Sequence, residues 1–87
     1  MKLKNLAKFF DKATEVFEYN INGKYIINHT SFGVDEEDNV LTLCREGGHQ
    51  TYIDLDTDVT VQDNYILIHS MDMRLKLYES IEVNIDV

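Results

Sequence analysis

The sequence predicts an α+β fold in which an N-terminal helix packs on a curved antiparallel sheet of about six or seven short strands. Apolar residues recur at helical spacing only near the N-terminus, whereas the rest of the chain alternates apolar and polar residues as strands do. The connections are short, and strands joined by short connections pair with their neighbours. With 87 residues, the chain makes one domain, residues 1–87, with a single modest core.

The helix is predicted over about residues 2–13, where apolar side chains lie three or four residues apart on one face. A separate stripe of lysines, Lys4, Lys8 and Lys12, follows the same spacing. Such a stripe is typical of a solvated face, and two alternatives are contact with phosphates or with acidic groups elsewhere in the fold.

The first strands follow from a change of period. Phe17, Tyr19 and Ile21 alternate with polar residues, and the Asn22-Gly23 pair that follows is typical of a two-residue hairpin turn. The run 24–32 is predicted to return as the second strand.

The remaining strands lie between polar or glycine-containing connections. Residues 34–39 are a polar connection, a third strand is predicted over 40–46, and two glycines at 47 and 48 end it. Further strands, with a turn at 63–64, are predicted from period-two alternation and β-branched residues. They span 51–56, 59–62, 65–70, 73–78 and 80–87.

The charge balance limits the classes of partner. Sixteen acidic residues against eight basic ones give a net charge of −8, which argues against nucleic acid or an anionic membrane as the main partner. Residues 1–24 carry a net charge of +2 and residues 25–87 a net charge of −10. We therefore expect a basic protein as partner.

The location is predicted from cysteine use and from the N-terminus. Cys44 is the single cysteine, so no internal disulfide can form, as in proteins of reducing compartments. The first residues lack the apolar segment of a secretory signal, and no stretch is long and apolar enough to span a membrane. We expect a cytoplasmic protein.

Three aspartates, Asp54, Asp56 and Asp58, fall on one side of an alternating run. Counted from Asp54 as a calcium loop, the sixth position is Val59 instead of glycine and the twelfth is Tyr65 instead of glutamate, so the match fails. As a catalytic pair, these carboxylates lack the apolar pocket that would raise one pKa. We predict no metal, no cofactor and no catalytic residue here.

The histidines and the cysteine do not form a recognisable site. His29, His49 and His69 lack the close ligand spacing of a zinc site, and we expect them on the surface or in turns. Cys44 and His49 are near in sequence, but nucleophilic catalysis requires a geometry that proximity in sequence does not establish. The protein is therefore predicted not to be an enzyme.

Two acidic clusters, with two neighbouring tyrosines as anchors, are the predicted partner-binding site. If residues 54–58 form one strand, their carboxylates make a row that resembles a phosphate backbone. If residues 56–58 form a turn, the row becomes a compact acidic patch. The predicted residues are Asp35, Glu36, Glu37, Asp38, Tyr52, Asp54, Asp56, Asp58, Asp63 and Tyr65.

The clusters "DEED" (35–38) and "DLDTD" (54–58), with the small size and acidity, make the chain resemble small phage-type inhibitors, including DNA-mimic and anti-CRISPR proteins. In character it also resembles acidic immunity proteins and antitoxins that block a basic nuclease. The resemblance implies an inhibitor that occludes a basic, nucleic-acid-binding surface of a nuclease or related complex. If the chain is phage-encoded, it would act in the host cytoplasm.

Two other interpretations stay open. The acidity can serve solubility alone, in a small structural or assembly subunit that self-associates through a sheet edge. The chain would then be a homodimer, whereas an inhibitor can act as a monomer. A small hydrolase or metal-dependent enzyme is the third interpretation.

Overall fold

The computed structural model describes residues 1–44 and 46–87. Arg45, which belongs to the predicted third strand, lies outside the described residues. The predicted α+β class is confirmed, because an N-terminal helix packs on antiparallel strands. The described residues form nine strands instead of six or seven, and these belong to two sheets instead of one.

The helical and strand segments follow one another closely. A 3₁₀ turn at Leu3–Leu6 leads into helix α1, Ala7–Lys12, so the predicted helix is confirmed within two residues at its ends. A second 3₁₀ turn spans Glu46–Gly48. The strands are β1 (Glu15–Asn20), β2 (Tyr25–His29), β3 (Ser31–Asp35), β4 (Val40–Cys44), β5 (Gln50–Asp54), β6 (Val59–Gln62), β7 (Tyr65–Ile68), β8 (Met73–Glu79) and β9 (Ile81–Glu82).

The larger sheet has the order β2-β1-β8-β7-β6, with β9 paired to β8, and the smaller sheet has the order β3-β4-β5. Each pairing is antiparallel. No helical segment of the described ranges has the length and apolarity that crossing a membrane requires.

The predicted second strand is two strands in different sheets. The chain leaves the larger sheet after His29 and enters the smaller one at Ser31, with Thr30 as the link. No glycine or proline marks this switch, so the sequence predicted a single strand over 24–32.

The two-residue hairpin turn lies at residues 63–64 and not at residues 22–23. Asp63 and Asn64 have φ values of 53° and 67°, which is the positive-φ pair of a two-residue hairpin turn. Asn22 is not in that region, and residues 21–24 form the loop between β1 and β2, in which Gly23 has a φ of 84°. The two-residue turn predicted at 22–23 is therefore wrong, because the Asn20 side chain accepts hydrogen bonds from two backbone N–H groups of the loop.

One hydrophobic cluster joins the helix to both sheets. Phe9 and Phe10 of α1 are buried, and Phe10 meets Phe32 of β3 edge to face, with ring centroids 6.5 Å apart. The inward side chains of the strands complete the cluster. They include Val16, Leu41, Leu43, Ile53, Val59, Ile66, Ile68, Leu75 and Leu77.

Candidate functional site

The two acidic clusters meet at one end of the smaller sheet. Asp35 of β3 lies opposite Val40 of β4, and Val40 lies opposite Asp54 of β5. The turn at 36–39 therefore lies beside the end of β5. Six predicted binding residues come together there, and we call them the acidic patch: Asp35, Glu36, Glu37, Asp38, Asp54 and Asp56.

Asn39 holds the acidic patch together. Its side-chain Nδ2 donates to Asp54 Oδ1 at 3.2 Å and to Asp56 Oδ2 at 2.9 Å. Its carbonyl accepts a hydrogen bond from the Leu55 N–H at 3.0 Å, and its φ of 58° is one that asparagine tolerates better than most residues. Because the amide is neutral, it brings two carboxylates together without cancelling their charge.

The aspartate row is a turn and not a strand. β5 ends at Asp54, whose carbonyl accepts the Thr57 N–H at 3.0 Å and whose Oδ1 accepts the Asp56 N–H at 2.8 Å. Such side-chain bonds to the following backbone are typical of aspartate turns. The carboxylates therefore do not repeat at strand spacing, and the alternative of a compact patch describes the structure.

Two aspartates pair with lysines of the N-terminal segment. Lys4 Nζ lies 3.2 Å from Asp56 Oδ1, and Lys2 Nζ lies 3.0 Å from Asp58 Oδ1. Hydrogen bonds from Lys4 and then Asn39 lower the pKa of Asp56, and the hydrogen bond and charge of Lys2 lower the pKa of Asp58. Contact with acidic groups, one of the alternatives for the lysine stripe, is confirmed for Lys4.

The carboxylates of the 35–38 turn remain directed to solvent. All four residues are exposed, and within the described ranges none of them has a lysine or arginine at ion-pair distance. A shallow depression of about 400 Å³ lies beside Glu36, between Lys4 and Leu55. The patch thus presents most of its negative charge to any approaching molecule.

Of the two predicted tyrosine anchors, one lies beside the patch. Tyr52 is 63% exposed and lies two residues before Asp54 on the same face of β5. Its hydroxyl contacts the side chain of Gln50. An exposed ring next to carboxylates is the arrangement expected of a binding anchor.

Two of the other predicted binding residues lie apart from the patch. Asp63 lies in the turn at the far end of β6. Tyr65 faces the outer side of the larger sheet, where its ring meets that of Tyr19 with centroids 5.4 Å apart. Asp58 follows Asp56 by two residues, and the charge of its partner Lys2 also lowers the pKa of Asp56.

A buried polar pair lies where the sequence indicated exposed residues. His29 is 0% exposed and Glu18 is 3% exposed, and their Nε2 and Oε1 atoms are 2.9 Å apart. The other ring nitrogen of His29, Nδ1, lies 3.1 Å from the Cys44 carbonyl oxygen. The predicted surface or turn position is wrong for His29, because register places it opposite buried Val16.

The outer face of the larger sheet is rich in aromatic rings, and this shared face was not predicted from the sequence. Neighbouring ring centroids lie 4.5–5.7 Å apart, and Lys76 Nζ lies 4.4 Å from the centroid of Tyr65. The signal was the period-two spacing of rings within β1. The rings belong to Phe17, Tyr19, Tyr25, Tyr65 and Tyr78.

Charged groups lie among the rings of the aromatic face. Lys76 Nζ pairs with Glu82 Oε1 at 2.6 Å, and this hydrogen bond raises the pKa of Lys76. Burial, and next the neighbouring Tyr78 and Tyr65, raise the pKa of the Tyr19 hydroxyl. The face is therefore a packed aromatic layer and not a row of free cations.

The residue types considered for metal or nucleophilic chemistry are dispersed. Cys44 and His49 both line a groove along β2, and His69 is exposed with Nε2 2.6 Å from Thr60 Oγ1. Among the side chains that the structure describes, no three of His, Cys, Asp or Glu are grouped to hold a metal ion.

Comparison with protein families, with curated proteins and with solved structures finds no match for this chain.

Proposed function

We propose that this protein is a non-enzymatic inhibitor that binds, through its acidic patch, a basic surface with which a protein partner holds nucleic acid. The observation that supports it is the meeting of the 35–38 turn with Asp54 and Asp56 around Asn39. Six carboxylates gather there, and Lys4 pairs with one of them, that of Asp56.

The sign of the charge favours a basic protein surface as the target. A chain with a net charge of −8 repels polyanions, whereas lysine- and arginine-rich surfaces attract it over about a Debye length, ~10 Å at 0.1 M salt. Exposed carboxylates mainly speed the encounter, and an aromatic side chain buried on contact slows dissociation. Asp35–Asp38 would provide the first effect and Tyr52 the second.

The compact shape of the patch determines how it would inhibit. A patch of this kind covers lysines and arginines that otherwise contact phosphates, without repeating the spacing of a DNA strand. The protein would therefore be an inhibitor of the DNA-mimic or anti-CRISPR type, which occludes a basic surface by its charge and its shape. Nucleic acid and inhibitor would then compete for the same partner surface.

The test compares two variants with equal charge. One neutralises the exposed turn (Glu36→Gln, Glu37→Gln, Asp38→Asn), and the control neutralises three exposed acids elsewhere (Asp72→Asn, Glu79→Gln, Asp86→Asn). Each variant has three carboxylates fewer than the wild type, so its net charge changes from −8 to −5. Immobilised wild type and variants are incubated with lysate at low salt and eluted at high salt.

The expected result is a nucleic-acid-binding protein that the wild type and the control retain and the turn variant loses. With that protein purified, the turn variant should associate about tenfold more slowly, and a short DNA or RNA duplex should displace the wild type. Equal retention by both variants, or a duplex that does not compete, would contradict the proposed function.

A further inference from the structure

The larger sheet has two edges, and they differ in how they are covered. At the β6 edge the N-terminus adds backbone contacts, since the Val59 N–H donates to the Met1 carbonyl at 2.8 Å and Lys2 bridges to Asp58. At the other edge, β2 pairs with β1 on one side, and no strand of the described residues pairs with its other side. Its outward N–H and C=O groups are therefore available to another strand.

Exposed apolar side chains concentrate at this edge. Ile21, Tyr25 and Ile26 are 49%, 51% and 47% exposed, and all three belong to the β1–β2 hairpin. β2 contains no lysine, no acid and no proline, which are the residues that commonly protect a sheet edge from pairing. A shift in register between β1 and β2 leaves Ile26 as an extra residue, so its side chain is not committed to the core.

A groove of about 890 Å³ runs along this edge. One wall is formed by residues of β2 and the link to β3, and the other by Cys44 and His49. Tyr25 also contacts the rings of Phe17 and Tyr19, so the edge continues into the aromatic face. Pairing at this edge would bury apolar surface together with backbone groups.

The distribution of charge indicates what can occupy the edge. The chain has sixteen acids, yet residues 19–34 contain none. Two molecules that each carry −8 meet less repulsion through such a region than through the acid-rich surfaces. The edge strand β5 of the smaller sheet ends in the acidic patch, so the negative charge there repels a second copy.

We propose that β2 is a homodimer interface, in which the β2 edges of two copies lie antiparallel about a two-fold axis and Ile21, Tyr25 and Ile26 pack across it. An antiparallel strand edge is self-complementary, as a two-fold contact requires. Four residue steps of β3, ~13 Å, separate Ser31, next to β2, from Asp35 in the patch. The dimer therefore leaves both acidic patches accessible.

The test measures the oligomeric state by sedimentation equilibrium from about 1 µM to about 1 mM protein, at low salt and at about 0.5 M salt. A monomer–dimer equilibrium that strengthens with salt is expected, because salt screens the repulsion between two negatively charged copies. Ile26→Lys should raise the dimer dissociation constant at least about tenfold. Ile81→Lys, at a 76% exposed position of β9, is the matched control and should leave it unchanged.

Circular dichroism verifies that both variants fold, and amide exchange at β2 should slow as the protein concentration rises. A wild type that stays monomeric at both salt concentrations would overturn the proposed interface. So would an equal response to the two lysine substitutions, or slow exchange that appears at a different edge. The readout does not involve the basic partner, so it succeeds or fails independently of the inhibitor function.

Discussion

At the scale of single residues, the buried Glu18–His29 pair is expected to be sensitive to substitution. Both ring nitrogens of His29 face oxygen atoms, Nε2 the Glu18 carboxyl and Nδ1 the Cys44 carbonyl. The pair links β1 and β2 of the larger sheet to β4 of the smaller one. Polar groups removed from water at such a junction depend on their partners, since burial without them is unfavourable.

Replacing His29 with leucine should destabilise the protein by about 1–3 kcal/mol, because the substitution removes the hydrogen bond to the buried Glu18 Oε1. Chemical denaturation followed by circular dichroism measures the free energy of unfolding, because the chain has no tryptophan whose fluorescence could be followed. His69→Leu is the control, because His69 is exposed and its loss should cost within about 0.5 kcal/mol. Similar losses for the two leucine variants would contradict a special role for the buried pair.

At the scale of elements, the C-terminal segment shows how one side chain substitutes for a strand pairing. β9 ends at Glu82, so the predicted strand 80–87 is wrong beyond that residue. Asn64 instead holds the segment, since its Nδ2 donates to the Val83 carbonyl and its Oδ1 accepts the Ile85 N–H, both at 2.7 Å. These bonds position Ile85, which is buried.

Asn64→Gly should destabilise the protein by about 1–3 kcal/mol and speed amide exchange at Ile85, because it removes both side-chain bonds. Glycine accommodates the φ of 67° at this position, so the variant adds no backbone strain to the folded state. Asn64→Ala should cost roughly a further 1 kcal/mol, because alanine disfavours a left-handed conformation. An Ile85 amide that exchanges at the wild-type rate in Asn64→Gly would contradict this role.

Local patterns predicted most elements, because a helix or strand is recognisable from the spacing of its own side chains. The helix and the turn at Asp63-Asn64 depend on neighbouring residues, and both are confirmed. The switch between sheets at Thr30 depends on where distant strands lie, and no turn residue marks it in the sequence.

The candidate site shows the same limit. The sequence predicted the two acidic clusters, but their meeting depends on the pairing of β3, β4 and β5, which alternation alone does not specify. Asn39 joins the clusters, although the sequence predicts it only as part of the polar connection at 34–39. Asp63 and Tyr65 were grouped with the patch because they are close to it in sequence, whereas β6 and its turn carry them away.

At the scale of the whole molecule, the two proposed surfaces differ in their response to salt. Binding through the acidic patch relies on attraction between opposite charges and should weaken as salt rises. Dimerisation at β2 brings two negatively charged copies together and should strengthen, because salt screens their repulsion. A single salt series with the basic partner present can therefore separate the two events. The dimer would then offer two patches to a partner with two basic sites, which increases the effective affinity.

The charge pairs between the N-terminus and the β5–β6 turn predict how the whole fold responds to acid. The pKa values of Asp56 and Asp58 are lowered from the usual 3.8, so the folded protein holds these carboxylates ionised more strongly than the unfolded chain does. A lowered pKa contributes stability that is present above about pH 4 and is lost as the pH falls through the folded-state value. The backbone bridge between Lys2 and Asp58 should loosen with it.

Asp56→Asn with Asp58→Asn should therefore make stability less dependent on pH between about 5 and 3, because the variant has lost two of the groups whose protonation is linked to unfolding. Thermal unfolding midpoints at several pH values measure this slope. Asp72→Asn with Asp86→Asn removes the same charge from exposed positions elsewhere and should keep the wild-type slope. If both double variants flatten the slope equally, the pH dependence does not come from the ion pairs of Lys2 and Lys4, and these pairs do not tie the N-terminal segment to the sheet.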